Sequence, residues 1–147
     1  MSHIYDICPF WGGRYLESEE AEFLLKEPRI ARFCCHNEDG TIHATPVWFK
    51  YENGKIIIVT PSRSRKAGNV KRNKNVTILV DTVEPIRGVM IYGTAELDDS
   101  DVLATAISIN EKYMPIERAK EYAEESVKSG LNRIVTVKSE RMITFHF

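Results

Sequence analysis

Two tight-turn signals most constrain how this chain of 147 residues can fold. Residues 37–40 read Asn-Glu-Asp-Gly, and residues 52–54 read Glu-Asn-Gly. Asn-Gly and Asp-Gly pairs favour tight hairpins, because these residues tolerate the positive φ angles that such turns require. The sequence therefore predicts strands at 30–36, 41–51 and 55–60 that are joined as consecutive antiparallel hairpins.

Alternating apolar and polar residues predict three more strands, at 76–82, 88–97 and 132–147. Six short strands with mostly hairpin connections favour an antiparallel barrel over a parallel sheet, and the length fits one domain, 1–147. Helices are expected around this barrel. The first helix is expected to begin at Ser18 and to end before Pro28, a later one to begin at Asp98 or Asp99, and the last to run from Pro115 to Gly130. In the strand 88–97, Gly93 is expected to mark a bulge or a close approach.

Composition excludes several classes of protein. The 20 basic and 21 acidic residues give a net charge of −1, which argues against a chain that binds polyanions over its whole surface. The longest aliphatic run, 56–59, is too short to cross a bilayer, and the N-terminus shows no secretory pattern. Cys8 and the adjacent Cys34 and Cys35 make a poor disulfide framework and suit a reducing compartment. Because neighbouring strand residues point to opposite faces, we expect no metal site at Cys34 and Cys35. Since the cysteine content suits a reducing compartment, we expect a cytoplasmic protein.

Positive charge is concentrated in one short segment. The stretch 63–74 holds six basic residues and no acidic one, which leaves 14 basic and 21 acidic residues elsewhere, a formal charge of −7. A strand is predicted to end at Thr60, and a helix is predicted from Arg65 to about Asn73, capped by Ser62 or Ser64. Hydroxyls, backbone N–H groups and cations that meet at a helix N-terminus form a phosphate site. A solvated basic helix face is the alternative, and this segment alone does not decide between them.

Three segments resemble the pyridoxamine 5′-phosphate oxidase-related flavoproteins. They are residues 45–50 (Thr-Pro-Val-Trp-Phe-Lys), 59–70 (Val-Thr-Pro-Ser-Arg-Ser-Arg-Lys-Ala-Gly-Asn-Val) and 88–96 (Gly-Val-Met-Ile-Tyr-Gly-Thr-Ala-Glu). The resemblance implies an α+β, mainly β fold, a six-stranded antiparallel split β-barrel with peripheral helices. It also implies a homodimer with flavin mononucleotide (FMN) in a cleft at the interface.

The resemblance also implies which residues bind the cofactor. The segment 45–50 would lie along the flavin ring, while Val59, Thr60, Arg65 and Lys66 would bind the ribityl-phosphate end. The predicted cofactor-binding set is Thr45, Pro46, Val47, Trp48, Lys50, Val59, Thr60, Ser64, Arg65, Lys66, Asn69 and Arg87. The phosphate site expected from charge and capping thus coincides with the one that the family implies. No catalytic side chain is identified.

Departures from the family pattern leave the substrate open. The vitamin-forming oxidase has a C-terminal Trp and Arg that this chain lacks, and Gly88, beside Arg87, replaces a glutamine that reaches the flavin from the partner subunit. Arg87 is therefore a candidate to cross the interface or an ordinary surface arginine. Trp48 is a candidate to face the ring or to pack in the core, and Tyr113 is expected only to pack between helices.

The leading hypothesis is an FMN-dependent oxidoreductase that acts on an unidentified small molecule. One alternative is a reductase of the same fold that uses a deazaflavin coenzyme, and another is a flavin store or sensor without turnover. A nucleic-acid binder is the alternative from a different class. The basic segment lacks the interleaved aromatic residues that stack on bases, so a nucleic acid is not expected as a partner. A membrane is not expected as a partner either, because no apolar run is long enough to cross one.

Overall fold

The computed structural model describes residues 14–128 and 130–147. The strands are β1 (Ala31–His36), β2 (Ile42–Val47), β3 (Lys50–Glu52), β4 (Lys55–Pro61), β5 (Asn75–Thr82), β6 (Arg87–Asp98) and β7 (Asn132–His146). The helices are α1 (Ser18–Lys26), α2 (Arg65–Arg72), α3 (Val102–Asn110) and α4 (Ile116–Lys128). Cys8 lies outside the described residues.

All seven strands belong to one curled antiparallel sheet with the order β2-β1-β5-β6-β7-β4-β3. The predicted mainly β fold of split-barrel type is confirmed, with helices around the sheet. Both predicted turns lie where the sequence placed them, with positive φ angles at Gly40 (87°), Asn53 (51°) and Gly54 (73°). Turn chemistry therefore sets the register of the two hairpins that contain β1 to β4.

The strand count differs from the prediction by one. The segment 41–51, expected as a single strand, is interrupted at Trp48 and Phe49, which separate β2 from β3. The Phe49 side chain is fully buried in the core, and its backbone N–H donates to the Tyr113 hydroxyl at 3.2 Å rather than to a neighbouring strand. This contact with a distant residue removes Phe49 from the sheet ladder.

The core lies on the concave face of the sheet. In β5, Val76, Ile78 and Val80 are buried while the residues between them are partly exposed, the period-2 pattern of a half-buried strand. Helix α1 packs Leu24 and Leu25 onto this core with no exposed surface. The curled sheet and α1 together provide the rigid frame on which the remaining helices lie.

Helix starts were predicted with mixed accuracy. Ser64 caps α2, one of the two serines expected to do so. For α1 the cap is Glu17 and not Ser18, and the Glu17 N–H donates to the Glu20 carboxylate at 2.9 Å. For α3 the cap is Asp101, with a φ of 53°, because the Asp98 carboxylate already accepts hydrogen bonds from Ser100.

Cys34 and Cys35 alternate in burial along β1 and are both free thiols. Within residues 14–128 and 130–147, no group of His, Cys, Asp and Glu side chains is arranged to hold a metal ion. None of the helices in this part of the chain has the length and apolar character needed to cross a membrane.

Candidate functional site

A pocket of about 450 Å³ lies at the seam of the curled sheet. The ends of β2 and β4 form one side, the first turn of α2 closes one end, and α3 and α4 form the opposite side. Strand β2 is one edge of the sheet and β4 is next to the other edge, so curling of the sheet creates the pocket. Six predicted cofactor-binding residues line it: Pro46, Val47, Trp48, Val59, Thr60 and Lys66.

The α2 end of the pocket is built by a short hydrogen-bond chain. Thr60, which is 1% exposed, donates from its hydroxyl to the Ser64 hydroxyl at 2.9 Å. The Ser64 hydroxyl accepts in turn from the Ala67 backbone N–H at 3.2 Å. These bonds fix the first turn of α2 against the end of β4. The first N–H groups of a helix have no acceptor within it, so this turn favours an anion.

Lys66 brings the positive charge into the pocket. Its side chain is half-buried, and the structure gives its ammonium no hydrogen-bond or salt-bridge partner among the described residues. Burial lowers the pKa of Lys66 below its usual value, an effect that the neighbouring Cys35 partly opposes. A half-buried cation without a counter-charge is stabilised by any anion that reaches it. Arg65, by contrast, is exposed and does not line the pocket.

Aromatic stacking holds the other end of the pocket. The Trp48 ring lies parallel to the Tyr113 ring, with centroids 4.6 Å apart and an interplanar angle of 9°. Tyr122 meets the same indole at 5.8 Å and 44°. Trp48 therefore lines the pocket and packs on Tyr113, in the turn after α3, and on Tyr122 of α4, rather than in the core of the sheet.

The two late helices were expected to shape the substrate side, but none of their residues that line the pocket was named as a site residue. Ala106, Ile109 and Asn110 of α3 line this side together with Tyr122 and Ala123 of α4. The Asn110 amide donates to the Ala119 carbonyl at 3.3 Å and so joins the two helices. A buried asparagine on an otherwise apolar helix face was the signal available in the sequence, since buried polar groups need partners.

Two predicted site residues make internal contacts. The Lys50 ammonium donates to the Ser108 hydroxyl at 2.7 Å and pairs with Glu52 at 3.5 Å. Asn69 is buried, donates to the Asn37 side chain at 3.0 Å and accepts from the Arg72 guanidinium at 2.7 Å. Neither residue lines the pocket, and Asn69 attaches α2 to the turn after β1.

Two further predicted residues carry polar atoms that lack a partner in the described part of the chain. The Thr45 hydroxyl oxygen, on β2 just before the pocket wall, is buried without a hydrogen bond. Arg87, at the start of β6, pairs with Glu27 at 3.6 Å, and its Nε is buried without a partner. Arg87 does not line the pocket of its own chain.

Comparison with known proteins identifies a family. Residues 17–145 match the family model described as pyridoxamine 5′-phosphate oxidase. No curated protein matches the chain.

Solved structures share the fold at low sequence identity. A conserved hypothetical protein from Mycobacterium tuberculosis has a TM-score of 0.77 and 22% identity, over 89% of this chain and 85% of that one. An F420 reductase has a TM-score of 0.69 and 19% identity, over 86% of this chain and 97% of that one. HutZ, the heme storage protein of Vibrio cholerae, has a TM-score of 0.69 and 12% identity, over 85% of this chain and 92% of that one. One fold thus serves proteins with different ligands, and the site residues must decide the ligand.

Proposed function

Because the chain belongs to the pyridoxamine 5′-phosphate oxidase family, we propose that it binds FMN in the pocket at the sheet seam and acts as a flavin-dependent oxidoreductase on a small molecule. The observation that carries this proposal is Lys66. Its half-buried ammonium has no partner among the described residues and lines the pocket at the first turn of α2, where an anion is favoured. The phosphate of FMN is such an anion.

The residues present also fit the ring of FMN. Lys66 is the one charged residue among the described residues that line the pocket; the rest are apolar, hydroxyl or amide side chains. The oxidised isoalloxazine ring is planar and uncharged, so it suits the wall formed by Pro46, Val47 and Trp48. The Thr45 hydroxyl, buried without a partner among the described residues, lies on the same strand directly before this wall.

When bound, FMN supplies the electron transfer, and the chain supplies binding and orientation. Lys66 and the N-terminus of α2 hold the phosphate, while the Thr60–Ser64 hydrogen bond keeps that turn in place. The wall of β2 orients the ring, and α3 and α4 shield it from water. Among the described residues that line the pocket, no side chain is an evident general acid or base.

A deazaflavin coenzyme is the second candidate, favoured by the similarity in fold to an F420 reductase. Such a coenzyme also carries a phosphate, so Lys66 would serve it in the same way. The two candidates differ in the ring and in the length of the tail beyond the phosphate. A direct comparison of the two ligands decides between them.

We also propose that two copies of the chain associate and that each completes the other's site. The outer face of the sheet carries half-buried Cys34 and Met90 beside exposed Ile42 and Tyr92, around a depression of about 560 Å³. The buried Nε of Arg87 has no partner within residues 14–128 and 130–147, and Arg87 does not line the pocket of its own chain. A second copy on this face would cover apolar surface, and its Arg87 is the proposed contribution to the neighbouring pocket.

The test is the identity of the molecule that copurifies with the protein. We expect an absorbance band at about 450 nm, because the isoalloxazine ring itself absorbs there. We also expect the mass of FMN. A band and mass of a deazaflavin would favour the second candidate. If the protein is colourless, FMN is added back to it in a fluorescence titration. Failure to bind FMN, together with salt-sensitive binding of RNA, would overturn the proposal in favour of nucleic-acid binding.

A further inference from the structure

The two-residue break between β2 and β3 is held by side chains from the turn after α3. Trp48 and Phe49 lie outside the strands, so their backbone groups have no ladder partners there. The Tyr113 hydroxyl accepts from the Phe49 N–H at 3.2 Å and lies 2.8 Å from the Arg29 carbonyl, to which it donates. The Lys112 ammonium donates to the carbonyls of Phe49 at 3.3 Å and Leu25 at 2.8 Å.

Consecutive residues of one turn thus satisfy both backbone polar groups of Phe49. Each bond matters because an unpaired buried peptide group is costly. Lys112 also lies over the Phe49 ring, 3.4 Å from its centroid. The break is therefore a fixed conformation set from outside the sheet, and its geometry depends on residues more than 60 positions along the chain.

The same tyrosine contacts the pocket wall. Its ring stacks on Trp48 at 4.6 Å with the planes 9° apart, and Trp48 is one of the residues that line the pocket. A tyrosine bonded through its hydroxyl on one side and stacked on its face has little freedom to rotate. Burial raises the pKa of Tyr113 to about 12, so its hydroxyl keeps its proton, and with it the bond to Arg29, throughout the physiological range.

We propose that Tyr113 is a positioning residue for the cofactor ring: its hydroxyl fixes the Trp48–Phe49 break and its ring fixes the Trp48 indole as the wall of the pocket. The identity of the ligand in this inference rests on the proposed function, whereas the positioning role of Tyr113 rests on the geometry of the break. The inference assigns Lys66 and Tyr113 to opposite ends of one cofactor site. Lys66 acts on the phosphate, whereas Tyr113 acts on the ring.

The experiment uses the full chain with Trp11→Phe, which leaves Trp48 as the one tryptophan of the two in the sequence. Tyr113→Leu removes the ring and the hydroxyl, and Tyr113→Phe removes the hydroxyl alone. Tyr51→Leu is the matched control, since Tyr51 is a half-buried tyrosine on β3 that does not line this pocket. Near-ultraviolet circular dichroism and acrylamide quenching of Trp48 are measured without ligand, and FMN and riboflavin are then titrated.

We expect Tyr113→Leu to alter the Trp48 dichroism and to weaken FMN and riboflavin alike by about tenfold, the upper range for loss of one aromatic pair. Tyr113→Phe should keep the stacking but increase the quenching of Trp48, and Tyr51→Leu should change neither property. Unchanged Trp48 spectra and affinities in Tyr113→Leu would overturn the inference, as would a loss confined to FMN.

Two other outcomes are also informative. If Tyr113→Leu does not fold, Tyr113→Phe decides: equal Trp48 quenching and equal affinity in this variant and its parent would overturn the positioning role. If the parent binds neither FMN nor riboflavin, the proposed function fails. The ligand-free dichroism and quenching then still decide whether Tyr113 sets the position of Trp48.

Discussion

The hydroxyl of Thr60 donates a hydrogen bond to the hydroxyl of Ser64, with the two oxygens 2.9 Å apart. Thr60 is near the end of β4 and Ser64 caps α2. This bond therefore joins a strand of the sheet to the helix whose first turn forms the proposed anion site. Ser64 is therefore both a capping residue and a part of the pocket frame. The two roles respond differently to substitution.

Ser64→Ala should lower the free energy of unfolding by about 1 kcal/mol, because the Ala67 N–H loses its acceptor. Ser64→Asp should keep the cap and largely restore stability. Its carboxylate would nevertheless repel a phosphate, so FMN should bind more weakly to Ser64→Asp than to Ser64→Ala. Urea unfolding and fluorescence titration measure the two effects. The same order of the variants in stability and in affinity would contradict the assignment.

Lys66→Ala should weaken FMN binding by roughly tenfold to a hundredfold, the loss of one charge-assisted hydrogen bond. Riboflavin, which lacks the phosphate, should bind the parent and the variant about equally. Lys71→Ala is the matched control, because Lys71 is an exposed lysine of the same helix that does not line the pocket. An equal loss for both ligands, or a loss as large in Lys71→Ala, would remove Lys66 from the phosphate site.

Gly93 and Gly68 should respond oppositely to replacement by alanine. A Cβ on Gly93, at the irregular pairing of β6 with β7, would collide with the Lys138 carbonyl and lie 2.8 Å from Val137 Cγ1. We expect Gly93→Ala to cost about 1–3 kcal/mol of stability. Gly68 lies inside α2 with open space around it, so Gly68→Ala should add up to about 1 kcal/mol. Thermal or urea unfolding of both variants tests the pair, and a stable Gly93→Ala would show that this strand pair can shift.

Lys112 should make stability depend on pH above neutrality. Burial lowers its pKa to about 8. Below that pH the side chain is charged in both the folded and the unfolded chain. Between about 8 and its ordinary pKa near 10.5, the unfolded chain binds more protons, so the free energy of unfolding rises with pH.

The comparison is with Lys112→Met, measured by urea unfolding between about pH 7 and pH 9, below the pH of about 10 at which tyrosines ionise in the unfolded chain. The parent should gain stability relative to the variant over that range. Parallel pH profiles for the two proteins would show that Lys112 titrates normally in the folded state.

Light scattering should show a homodimer at micromolar concentration, and Arg87→Ala should weaken FMN binding if Arg87 reaches the partner's pocket. Glu27→Ala is a useful companion, since it removes the partner of Arg87 within the chain. A stable monomer that still binds FMN would refute the shared site.

Local chemistry made much of the fold predictable from the sequence. The turns at Gly40 and Gly54 and the cap at Ser64 depend on interactions within a few residues, and the alternation of β5 depends on one buried face. The basic segment likewise placed Lys66 at the start of α2, where the structure has it. Signals of this kind are present in any short window of the chain, because the groups that interact are close in sequence.

Tertiary structure alone decided the rest. The break at Trp48 and Phe49 depends on Tyr113, 64 residues after Phe49, and the α3–α4 wall depends on Asn110 bonding across to Ala119. Asn69, which stays a predicted cofactor-binding residue, bonds to Asn37, because curling of the sheet brings α2 against that turn. The sequence determined which elements form and where charge collects. Which side chains face the pocket was set by contacts between distant segments, whose energies appear only once the chain is packed.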